Sequence, residues 1–114
     1  MVRAAGMTSS DPLPEFIRTV FPSVWTLELL LLLRTQQGRA LSRASMVAGL
    51  RGSELAVASA VQALVRAGLV TADPDGGARY APATSTLNDL AAETEALYAE
   101  RPAAVRRLIA SAAG

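Results

Sequence analysis

Five consecutive leucines, Leu29 to Leu33, constrain this chain more than any other stretch of it. At 3.6 residues per turn such a run points in every direction around a helix, so a helix built on it is not a surface helix with one buried stripe. All of its sides need cover. One side has the rest of the domain to pack on, and the other needs an N-terminal helix, the C-terminal helices or a second subunit. Ser23 stands where it would cap this helix, which reads through Trp25 and Leu27 to about Gln37, with Gly38 as its stop. The apolar run from Val24 to Leu33 holds Thr26 and Glu28 and is ten residues long, whereas a membrane span takes about twenty. The start of the chain has no apolar targeting segment either, so the expectation is a cytoplasmic protein without a membrane partner.

The flanking segments predict the remaining elements. Residues 1–13 read as a flexible N-terminal arm. Pro14 suits a first helical turn, and Phe16, Ile17, Val20 and Phe21 then share one face of a short helix over 14–22 that Pro22 ends. Ser42 would cap a helix with Met46, Val47 and Leu50 inward, ending near Gly49 to Gly52. Ser53 would cap the next, with Glu54 in its first turn and Leu55, Val57, Val61, Leu64 and Val65 as the apolar repeat up to Gly68. Leu69 to Thr71 and Ala78 to Ala81, joined by Asp73, Pro74, Asp75, Gly76 and Gly77, read as a β-hairpin. Beyond it Thr84 or Ser85 opens a helix with Leu87, Leu90, Ala91, Thr94, Leu97 and Tyr98 on one face. Pro102 ends or kinks it, and Val105, Leu108 and Ile109 make a last short apolar face. The reading is a mainly α fold with one small β-hairpin.

Composition narrows the chemistry. With 114 residues there is room for one core, since domains run to about 100–150 residues. There is no cysteine and no histidine, which removes disulfides, thiolate chemistry and nearly all zinc sites, and with them the commonest general base. Ser9 and Ser10 have no base beside them, and Glu93, Glu95 and Glu100 interleave with Arg101, Arg106 and Arg107 as a mixed helix surface. The expectation is a protein that is not an enzyme and needs no cofactor and no metal. All eleven basic residues are arginine, and alanine is the commonest residue, a bias typical of a high-GC bacterial coding sequence. The formal net charge of +1 is too small to attract a polyanion by global field, so any charge-based function must be local.

From Ser23 to Ala81 the order is helix, short link, helix, tight turn, helix, hairpin. Two stretches carry a family likeness: Ser42-Arg43-Ala44-Ser45-Met46-Val47-Ala48-Gly49-Leu50-Arg51-Gly52-Ser53, and Val57-Ala58-Ser59-Ala60-Val61-Gln62-Ala63-Leu64-Val65-Arg66-Ala67-Gly68-Leu69-Val70. The second resembles the recognition helix and its exit into the wing in winged helix-turn-helix transcriptional regulators of the MarR, ArsR and PadR kind. The resemblance covers about sixty residues and implies a winged-helix core over 23–82, a helix over 14–22 before it and C-terminal helices over 83–114, within one domain spanning 14–114.

It further implies a bacterial regulator that binds double-stranded DNA specifically as a homodimer. The helix from Ser53 to Ala67 would enter the major groove, with Ser53, Ser59, Gln62 and Arg66 on the DNA side together with Glu54, Ala58 and Ala63. Arg43 and Arg51 would meet phosphates, and Arg79 on the wing would touch backbone or minor groove. Residues 24–82 carry six arginines against four carboxylates, so the positive balance sits in this unit. Phe16, Ile17, Val20, Phe21, Leu90, Leu97, Leu108 and Ile109 are the candidate dimer interface. Two alternatives stay open. The alanines at 58 and 63 and the outward-leaning Val65 suit a protein partner docked on the same helix, and Trp25, Phe16, Phe21 and Tyr98 suit a small-molecule pocket as well as they suit a core.

Overall fold

The computed structural model describes residues 11–113, so the arm expected over 1–13 lies mostly outside the described residues. Among these the chain is mainly helical, with six helices and one two-stranded antiparallel sheet. The order is α1 (Leu13–Val20), α2 (Val24–Thr35), α3 (Arg43–Leu50), α4 (Glu54–Arg66), β1 (Val70–Ala72), β2 (Ala78–Tyr80), α5 (Ser85–Glu100) and α6 (Pro102–Ala113). No single helix among them is long and apolar enough to cross a membrane.

The leucine helix α2 is enclosed by its own chain. Leu27, Leu29, Leu30 and Leu33 have no exposed surface, and Leu31 and Leu32 keep only part of theirs. α3, α4 and β2 pack directly on α2. Polar ties then run to α5: Arg34 donates through Nε to Glu95 at 2.9 Å, and Tyr98 donates through its hydroxyl to Glu28 at 2.7 Å. α1 folds against α5 and α6. Phe16, Ile17, Phe21 and Ile109, expected at a dimer interface, are therefore buried inside one protomer, with Phe16 edge-on to Phe21 at 6.0 Å. Val20, Leu90, Leu97 and Leu108 pack on the same core and keep partial exposure. The terminal helices were expected to reach a second copy, but α6 runs for 12 residues rather than a short face and closes this cluster itself.

Capping follows the sequence at three helices. Ser42, Ser53 and Thr84 accept the backbone N–H three residues on, at 3.1, 3.0 and 3.1 Å. Ser23 occupies the N-cap of α2 without capping through its side chain; its hydroxyl instead lies 3.4 Å from that of Thr26. α1 begins at Leu13, one residue earlier than expected, because the Asp11 carboxylate accepts the Leu13 N–H at 3.1 Å. α2 stops at Thr35, three residues before the expected glycine, and Gln37 already turns left-handed at φ 55°. α4 ends in a Schellman turn: Leu69 N–H reaches the Leu64 carbonyl at 3.1 Å, and Gly68, at φ 80°, reaches Val65 at 3.0 Å.

The sheet sits against α2 and α4. Val70, Thr71 and Ala72 pair with Tyr80, Arg79 and Ala78, and on the other side of β2 the Leu41 and Ala78 backbones exchange hydrogen bonds at 2.9 and 3.0 Å. The link between α2 and α3 is thereby stitched to the hairpin. Gly77 is required here, because a Cβ would fall 2.8 Å from the Leu41 carbonyl oxygen. The turn is closed by Gly76 N–H to Asp73 carbonyl at 3.0 Å and by the Asp75 carboxylate on Gly77 N–H at 2.9 Å, the chemistry that Asp-Pro-Asp-Gly-Gly brings.

Two outcomes test this packing. Leu30→Ala should lower unfolding free energy by about 2–5 kcal/mol in urea titrations, and a loss below about 1 kcal/mol would contradict a fully buried Leu30. Burial first, then the hydrogen bond to Glu28, raises the Tyr98 phenol above its ordinary value, with Arg106 opposing. The unfolded chain then ionises first, so the contribution of Tyr98 is complete below about pH 10 and is lost as pH rises through the folded value. Tyr98→Phe should flatten that alkaline loss in pH-dependent melting.

Candidate functional site

α4 has two faces of opposite character. Val57, Ala60, Val61 and Leu64 are buried against α2 and its neighbours, while Leu55, Ser59, Gln62 and Arg66 recur at i, i+4, i+7 and i+11 and are all exposed. This outward stripe runs the length of the helix and no element of the described chain covers it. Ser59, Gln62 and Arg66 are thus brought together as expected. Ala63, expected outward, is buried at 7% exposure, and Ala58 is half-buried. Leu55, expected in the apolar repeat, is 80% exposed. Two residues before Val57 on a helix is about 200° away, so the spacing of Leu55 from Val57, Val61 and Leu64 carried that signal.

The ends of the stripe are set by turns. Ser53 is occupied as a cap by the Ala56 N–H. Just before it Arg51 is exposed and left-handed at φ 56°, closing α3 with its N–H on Ala48 at 3.3 Å while Gly52 N–H reaches Val47 at 3.2 Å. Glycine is the easy residue for that conformation, and an arginine holds it at a penalty on the order of 1 kcal/mol. At the far end, Arg66 borders a shallow groove with Thr19, Val20 and Pro22.

The hairpin tip is joined to α3. Arg43 donates through Nε to the Gly76 carbonyl at 3.0 Å, and Arg79 pairs with Asp73 at 3.4 Å, with about half of its own side chain exposed. Arg43 and Arg79 therefore belong to the hairpin region, apart from the α4 stripe, and Arg79 is held by a carboxylate of its own turn. Arg34 is engaged by Glu95, by the Tyr80 hydroxyl at 3.1 Å and by the Tyr80 ring face. Among the described residues Arg39, Arg43, Arg51 and Arg66 form no ion pair. Against these four guanidinium groups stand the exposed carboxylates of Glu54 and Asp75, neither of which is in an ion pair among the described residues, so a modest positive balance remains in this part of the chain.

Other concavities offer less. A groove of about 570 Å³ between β2 and the start of α5 is lined by Arg34, Tyr80, Thr84 and Asn88, but these groups satisfy one another or cap α5, with Tyr80 donating to Asn88 at 2.7 Å. Trp25 is 44% exposed and lies over Gly52 and beside Val24, Glu28 and Leu50, so it is no core residue. Among the described residues no three acidic side chains converge as a metal site.

No known protein-family model, no curated protein and no solved structure matches this chain. Its own geometry has to carry the functional reading. Asp73→Asn should release Arg79 and lower stability by less than about 1 kcal/mol in thermal melts, as expected for an exposed pair; a larger loss would make Asp73 a structural anchor of the hairpin.

Proposed function

We propose that this chain is a DNA-binding transcriptional regulator with a winged helix-turn-helix core, α2 to β2, in which α4 is the recognition helix. The uncovered stripe Leu55, Ser59, Gln62 and Arg66 carries the reading. It is the width of one helix face, spans α4 and has the uncompensated Arg51 before it, which suits a helix lying in a major groove about as wide as itself. The hairpin stitched to the α2–α3 link by Leu41 and Ala78 has the connectivity of a wing. An arginine kept at a left-handed turn where glycine is easier also fits selection for binding over stability.

In this mechanism Gln62 and Ser59 meet base edges, Arg51 and Arg66 meet phosphates, and Arg43 steadies the wing tip through Gly76. Arg79 joins the backbone contacts when it leaves Asp73. The working unit is a homodimer, and Val20, Leu90, Leu97 and Leu108 are the apolar side chains of the expected interface still open to a second copy. A second reading, docking of a protein partner on α4, is favoured by the exposure of Leu55 and by Val65, at 40%.

Fluorescence anisotropy on random duplex DNA over a salt series, with mass by light scattering, separates the two. The regulator should bind as a dimer with log K falling linearly in log salt, and Arg51→Gly should reduce that slope by about one while raising stability by up to about 1 kcal/mol. Absence of binding at low salt would refute the reading and favour the protein partner.

A further inference from the structure

Leu55 is the most exposed large apolar side chain of the described residues, at 80%, and it stands in the first turn of α4, two residues after the Ser53 cap. Water gains nothing from a leucine there, and neither α2 nor the hairpin covers it. On the outward stripe it is followed by Ser59, Gln62 and Arg66, so it shares their direction. A helix in the major groove brings its N-terminal residues to the base edges, and the one apolar group on those edges is the thymine C5-methyl.

We infer that Leu55 is a specificity-determining residue that reads thymine through its C5-methyl, the apolar first position of a stripe whose later positions hydrogen-bond. This rests on the proposed DNA-binding role of α4. The neighbouring charges favour a nucleic acid over an apolar protein surface: Arg51 lies four residues before Leu55 and Arg66 eleven after it, and neither has an ion-pair partner among the described residues. Glu54 beside it is an acceptor only, which suits a cytosine amino group and not a phosphate. Burying one methyl is worth about 0.8 kcal/mol, or about fourfold in affinity.

The experiment uses the full chain. Preferred sites are selected from a random duplex pool, then resynthesised with deoxyuridine in place of single thymidines, which removes only the methyl. Wild-type protein should lose about fourfold in affinity at one or two positions per half-site, and Leu55→Ala should bind the thymine and uracil duplexes alike. The substitution is on an exposed face and alanine favours helix, so a melting midpoint at or above wild type confirms folding. Equal wild-type affinity for thymine and uracil duplexes, or a thymine preference that survives Leu55→Ala, would overturn the role of Leu55 and leave DNA binding standing. Failure of the wild-type chain to enrich any duplex would overturn the DNA-binding role of α4 and this inference with it. A drop in solution mass on Leu55→Ala without DNA would assign the side chain to a second copy and also overturn it.

Discussion

Everything in this molecule is arranged around the need to keep water off α2. A helix carrying Leu27 and five leucines in succession has no polar side to turn outward, so its neighbours must supply cover in all directions. α3, α4 and β2 provide most of it, and α5 is tied on through Arg34 to Glu95 and Glu28 to Tyr98. The cost of that solution is that α4 can give α2 only one face. Its other face is left in solvent, and that is the surface with Leu55, Ser59, Gln62 and Arg66.

The termini answer the same demand. α1 and α6 close on one another and on α5, burying Phe16, Ile17, Phe21 and Ile109 in a single chain. A second copy is therefore not needed to complete this core, and any dimer has to form on the partly exposed residues that remain. Charge is distributed with similar economy: Arg34 and Arg79 are neutralised within the protomer, whereas Arg39, Arg43, Arg51 and Arg66 are not.

Much of the architecture was legible in local signals. Ser42, Ser53 and Thr84 marked helix starts because a short hydroxyl side chain satisfies a free N–H, and Gly68 marked an end because a left-handed turn is easiest without a Cβ. The hairpin followed from Asp-Pro-Asp-Gly-Gly. Positions decided by tertiary context were not legible. Gln37 and Arg51 adopt left-handed geometry that glycines next to them advertised. Ala63 is buried at the edge of the α4 face because alanine tolerates either environment. Apolar faces on α1 and α6 look the same in sequence whether they meet each other or a second chain. At the candidate site, Ser59, Gln62 and Arg66 came from the resemblance of this stretch to a recognition helix, whereas the engagement of Arg43 by Gly76 and of Arg79 by Asp73 depends on how the hairpin folds over α3.

The central claim is that the outward stripe of α4, the Arg51 turn and the hairpin tip face DNA together. Titrating isotope-labelled protein with a short duplex and following backbone amide resonances tests it most directly. The account predicts that the largest shifts fall on Arg51 to Arg66 and around Gly76, with α5 and α6 little changed. Shifts confined to α5 and α6, with the α4 stripe silent, would contradict it.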